Sequence, residues 1–234
     1  MPVLRVVARE VFAYTAQGLL LPRGRARVPA TPPKPGERTV VLVHGHASHP
    51  GAFVALERAL RRAGQARIAA FRYGATGTVE GLAARLDAFI AAHLGSERLI
   101  LVGHSLGGLV ARTWLQLLGG SGRTDAFVTL STPHRALPLA ALARPVPLLR
   151  ELAPANPLWA RLEASRSALA PLRCLTIASS KDHFIRPPER AHLEGAEAIT
   201  LDAHGHAGLL FAPEAHRHVI RILRETAARQ EASP

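Results

Sequence analysis

Residues 99–118 read LILVGHSLGGLVARTWLQLL, and the reading of the whole chain turns on them. Leu99 to Val102 is a short continuous apolar run, as expected of a strand buried on both faces. Leu106 to Leu118 has the spacing of a helix and stops at Gly119-Gly120. Between them stands Gly103-His104-Ser105-Leu106-Gly107, a strand-to-helix turn with a serine at its apex. A serine so placed sits on a strained backbone, and the glycines two residues to either side leave room for the crossing strand and helix. Its Oγ projects above the sheet. The Leu106 N–H stands at a helix N-terminus, suited to donating to a developing oxyanion.

The same rhythm runs outward in both directions. Upstream, Val40 to Val43 is a second buried strand pattern, 52–63 has helical spacing closed by Gly64, and 66–71 and 78–93 repeat the strand and helix. Downstream, Phe127 to Leu130, Leu175 to Ala178 and Ala198 to Leu201 read as strands, and a last helix runs roughly from Pro213 to Ala228. Strands separated by helices imply right-handed crossovers, and so a doubly wound, mostly parallel α/β sheet of about six strands. One stretch breaks the alternation. Residues 134–171 hold no strand pattern but several prolines and the apolar pieces LPLAALARPVPLLREL and NPLWARL. The expectation is a short helical cap over the carboxyl edge of the sheet, where open α/β sheets bind ligands. Two segments follow as an organisation: 1–37, an amphipathic N-terminal stretch with a Pro-rich linker, and 38–234, the α/β domain with its insertion at about 134–171.

Composition narrows the function classes. The 234 residues are 48% apolar and 20% charged, enough apolar material for one sizeable core. The single Cys174 allows no intramolecular disulfide and no CxxC site, and its place in a strand makes it core rather than nucleophile. No apolar run is long enough to span a bilayer. Residues 3–21 are apolar-rich but broken by Arg5, Arg9 and Glu10, with no continuous apolar signal region or cleavage site. They read as an amphipathic helix, packed on the domain or lying on a membrane surface, and the chain as cytoplasmic with an option of peripheral membrane contact. The net charge is +12, and all but two of the basic residues, Lys34 and Lys181, are arginines. They are scattered, without zinc-finger spacing or an aromatic RNA-binding signature, which argues against nucleic acid and for a solvated basic surface open to anionic lipid. Oligomeric state has no signature in the sequence.

Ser105 requires a base, and twelve histidines compete. His206 follows the last strand by five residues, just before the final helix, with His204 its closest rival; His104 lies inside the turn, and His216 and His218 lie on the last helix. Among the four aspartates, Asp87 falls on a helix, Asp125 at the amino end of a strand and Asp202 almost beside the histidine, leaving Asp182 in the loop after Leu175–Ala178. Glu189 is the reserve. Asp182 would fix the imidazole tautomer and stabilise the imidazolium. A second oxyanion donor belongs in Val43-His44-Gly45-His46-Ala47, after the first core strand, and by position it is the His46 N–H.

With LVHGH at 42–46, LVGHSLGGLVAR at 101–112, STPHR at 131–135, Asp182 and GHAGLL at 205–210, the chain resembles the α/β-hydrolase family over roughly 38–228, and within it small bacterial lipases and esterases, including the group related to inositol deacylases. The resemblance implies a Ser–His–Asp triad in the chain order Ser105, Asp182, His206, an acyl-enzyme intermediate and no cofactor. It points to a small ester or lipid substrate with an apolar acyl chain. Two departures stand out. The family's first antiparallel hairpin has no counterpart before residue 38, and Ala136-Leu137 follow the TPHR motif where Gly-Ser is usual, so the way into the cap differs. Rival readings are acyl transfer or thioester hydrolysis on the same triad and a silent binding protein on the same fold. A further rival is a zinc hydrolase using the HxHxxH spacing of His44, His46 and His49.

Overall fold

The computed structural model describes residues 2–65, 67–142 and 146–231. Six strands form one parallel sheet: β1 (Thr39–Val43), β2 (Ile68–Phe71), β3 (Leu99–His104), β4 (Thr124–Leu130), β5 (Arg173–Ser179) and β6 (Glu197–Leu201), in the spatial order β2-β1-β3-β4-β5-β6. Each matches a sequence-derived strand. Ala66, within the expected second strand, lies outside the described residues. No antiparallel hairpin precedes β1 among the described residues. Seven α-helices accompany them among the described residues: α1 (Pro2–Leu19), α2 (Val54–Arg62), α3 (Val79–Leu94), α4 (Leu106–Leu117), α5 (Pro147–Arg150), α6 (Leu158–Ala164) and α7 (Pro213–Glu231).

The continuous apolar runs are explained by burial on both faces. Along β1, Val41 and Val43 join the core under α3 and α4, while Val40 and Leu42 join the core under α2 and α7. Leu99 and Leu101 against Ile100 and Val102 repeat the division on β3. The edge strand β6, by contrast, alternates partly buried and exposed positions before Leu201. The opposite edge is covered by the Pro-rich linker, whose Arg27 exchanges both backbone hydrogen bonds with Ala70 of β2, at 3.0 and 2.8 Å. Acidic residues at the amino end of the sheet are occupied by arginine: Asp125 binds Arg38 (2.5 Å) and Arg98, and Glu97 binds Arg67 (2.8 Å).

Residues 134–171 fold as the short helices α5 and α6 between 3-10 turns, with 143–145 outside the described residues. Leu148, Leu152, Leu158 and Leu162 extend the α3–α4 core. Glu151 accepts the Val79 N–H at the first turn of α3 (2.6 Å), which ties the segment to the carboxyl edge of the sheet. Its entrance is held by Arg112, a buried guanidinium on α4 that donates to His134 O (2.8 Å) and to Gln116 Oε1 (2.6 Å). Burial pushes that guanidinium down to about 10.

Candidate active site

In the strand order, the chain moves to one side of β1 for β2 and to the other side for β3. That reversal opens a crevice at the carboxyl ends of β1 and β3. Ser105 stands there, between β3 and α4, with φ 53° and ψ −128°. This is a conformation L-residues seldom adopt, and its neighbours impose it. The Ser105 N–H donates to Leu130 O (2.9 Å) at the end of β4, and Gly108 N–H donates to Ser105 O (3.0 Å). Two glycines let the strand and helix cross this closely. A Cβ on Gly103 would stand 2.3 Å from Gly108 Cα, and one on Gly107 would stand 2.1 Å from His44 O and 2.2 Å from Val43 O.

His206 Nε2 lies 2.9 Å from Ser105 Oγ, and His206 Nδ1 lies 2.8 Å from Asp182 Oδ2. A carboxylate only accepts, so Nδ1 carries the ring hydrogen and Nε2 is left to accept from the serine hydroxyl. The rival His204 contributes its carbonyl to Ser179 Oγ and makes no bond to Ser105. Asp182 Oδ1 accepts the Phe184 and Ile185 N–H groups, at 2.8 and 3.0 Å, a local turn that aims the second oxygen at the ring. Burial by itself would raise this carboxyl; the hydrogen bond and charge of His206, then Ile185 N–H and Ser131, outweigh it and bring it down to about 2. The other aspartates are elsewhere: Asp87 accepts from Trp114 Nε1 on α4 (2.8 Å), and Asp202 is exposed.

The loop after β1 packs directly on this turn. A Cβ on Gly45 would sit 3.1 Å from Ser105 Cβ. No carbonyl of the described chain takes the N–H of the next residue, His46. Leu106 is the first residue of α4, and its N–H has no acceptor within the helix. His44 shapes the loop: Nδ1–H donates to Gly45 O (2.9 Å), Nε2 accepts Tyr73 N–H (3.3 Å), and the ring stacks on Tyr73 with centroids 4.2 Å apart. Burial holds the His44 ring neutral, down to about 4.

The same loop holds two of the three histidines of the zinc reading on other partners. His49 Nε2–H donates to Gln17 O (2.8 Å) while its Nδ1 accepts Gly51 N–H (3.1 Å), so His44 and His49 are committed to backbone partners. Among the described residues, no three His, Cys, Asp or Glu side chains converge as metal ligands. Cys174 is buried, and its thiol is pushed up to about 12 by burial, in keeping with a core role.

Four side chains make contacts to the His206 loop that have no signature in the sequence. His104 Nε2–H donates to His206 O (3.1 Å), and burial, then the neighbouring His206, brings the His104 ring down to about 3. Glu10, on α1, accepts the Ala207 and Gly208 N–H groups at 3.2 and 2.6 Å. A Cβ at Gly205 would come within 2.4 Å of that carboxylate's carbon, so a side chain there would push Glu10 aside. Arg9 adds a bond to Ala203 O (2.6 Å). Phe184, 60% exposed, leans edge-on against the His206 ring with centroids 5.0 Å apart.

Comparison with solved structures places this architecture among known ones. A Bacillus licheniformis lipase in mature form superposes with a TM-score of 0.63 at 17% identity, covering 86% of this chain and 98% of its own. A carboxylesterase from the ammonia-oxidizing thaumarchaeon Nitrososphaera gargenis gives 0.60 at 14% identity, covering 83% and 92%. A bacterial membrane phospholipase A gives 0.59 at 17% identity, covering 95% and 92%. No curated protein matches by sequence. Residues 38–161, over half of the chain, match the family model described as the alpha/beta hydrolase fold. With the six-stranded parallel sheet and the turn at Ser105, this makes the chain a member of the α/β-hydrolase family.

Proposed function

We propose that the protein is a serine hydrolase of carboxylic esters with apolar acyl chains, working through an acyl-enzyme. The observation that carries the reading is the relay from Ser105 Oγ through His206 to Asp182, two hydrogen bonds of 2.9 and 2.8 Å built on a strained turn. Ser105 Oγ attacks the ester carbonyl carbon as its proton passes to His206 Nε2. The carbonyl oxygen becomes an oxyanion, held by the N–H groups of Leu106 and His46. Collapse expels the alkoxide, which takes the proton from His206 and departs as alcohol. Water then gives a proton to His206 while attacking the acyl carbon, and the second collapse returns the proton to Ser105 and frees the acid. Asp182 keeps the imidazole in the required tautomer and stabilises the transient imidazolium. Lipase, carboxylesterase and phospholipase neighbours support a hydrolase in general; the exposed Phe184 ring, edge-on against His206, supports an apolar acyl substrate.

The test is a series of p-nitrophenyl esters from acetate to laurate, with Ser105→Ala as control. The reading expects kcat/KM to rise along the series and to vanish in the variant. A flat series overturns the apolar preference; full activity in Ser105→Ala overturns the mechanism.

A further inference from the structure

Helix α1 is amphipathic in an inverted sense. Three of its polar residues bond to the protein: Glu10 binds the amides after His206, Gln17 accepts from Ser48 Oγ (2.8 Å) and Arg9 reaches Ala203 O. Ala13, between Glu10 and Gln17 on the same side, is fully buried. The opposite face carries Leu4, Val7 and Val11 at i, i+3 and i+7, respectively 73%, 53% and 60% exposed. No charged side chain interrupts that line, and Leu19 and Leu21 prolong the exposed apolar surface past the helix end. A helix merely packed on its domain would turn this face inward. Here the polar side is fixed by hydrogen bonds, and the apolar side is presented outward beside the loop of the candidate base.

We propose that this outward face of α1 seats the protein on an anionic lipid surface, with the helix lying in the plane of the interface. Charge selects the occupant. The exposed Arg5 and Arg9 flank the apolar line, Arg23 and Arg25 follow the helix, and the chain carries +12 overall. An anionic headgroup layer neutralises these arginines, whereas a second copy of the chain would bring like charges together. No helix among the described residues is long and apolar enough to cross a membrane, so contact is in-plane. The meaning for catalysis rests on the ester-hydrolase reading: docking would bring Phe184 and the His206 loop, both in contact with α1 or its partners, to the surface from which an apolar acyl ester is taken.

Flotation of the full chain with vesicles tests this, using phosphatidylcholine alone and phosphatidylcholine with phosphatidylglycerol. Wild type and Ser105→Ala should both float with the anionic vesicles at low salt, and both far less with phosphatidylcholine alone. The double change Val7→Glu, Val11→Glu should weaken binding at least about tenfold with helix content unchanged by circular dichroism. Equal binding by the double variant overturns the proposal. So does a wild-type dimer that the double variant splits, found without vesicle binding, which would assign the face to a second copy. Vesicle binding by a protein whose Ser105 proves inert upholds the surface and removes the hydrolase reading instead.

Discussion

At the scale of single residues, the site depends on backbone approach as much as on its functional groups. Gly107 has the carbonyls of Val43 and His44 where a Cβ would go. Gly107→Ala should therefore destabilise by about 3 kcal/mol or more, lowering Tm by roughly 6–12 °C for a chain of this size. An unchanged melting curve would show that the crossing can relax. Asp182→Asn removes the acceptor that sets the His206 tautomer, and kcat should fall by about 10³–10⁴-fold. The same carboxyl makes stability acid-sensitive. Held near 2 against an ordinary 3.8, it contributes fully above about pH 4 and progressively less as pH falls through about 2. The depression corresponds to about 2 kcal/mol. Urea midpoints of wild type should thus drop between pH 5 and pH 2 more steeply than those of Asp182→Asn, and parallel slopes would contradict the assignment. Ser105, His206 and Asp182 could be read from sequence because each follows a strand at the carboxyl edge. Glu10 could not, since nothing near residue 10 refers to amides almost two hundred positions away.

At the scale of elements, α1 acts as a strap over the loop that carries His206. Glu10→Ala leaves the Ala207 and Gly208 N–H groups without their acceptor, and truncation frees the loop rather than altering the ring. The expected result is a fall in kcat of about tenfold with KM nearly unchanged, and Glu10→Gln recovering part of it. A rise in KM at constant kcat would assign α1 to substrate binding instead. Element legibility followed length and burial. Strands such as β1 and β3 announce themselves through unbroken apolar runs because helices cover both their faces. Helices α5 and α6 span four and seven residues, too short for a period of 3.6 to register, and their placement comes from tertiary contacts such as Glu151 to Val79. The linker's pairing at Arg27 was equally hidden, because a single antiparallel bridge has no pattern.

At the scale of the whole molecule, the topology decides where chemistry can occur. Reversal of the strand order brings the loop after β1 against the turn after β3, so that Gly45 touches Ser105 from a separate part of the chain. The alternation of strands and helices makes this architecture legible in sequence, while the histidine-rich 44–49 stretch has metal-ligand spacing although His44 and His49 bond to backbone groups in the fold. Activity should accordingly be indifferent to a chelator, and loss with EDTA restored by zinc would contradict that account. The central claim is that Ser105 is an activated nucleophile. It is met most directly by treating wild type and Ser105→Ala with a fluorophosphonate and reading intact mass, followed by peptide mapping. The account expects one adduct per chain, located on Ser105 and absent from the variant. A folded wild type that stays unlabelled with and without detergent, or an adduct that persists in Ser105→Ala, would contradict it.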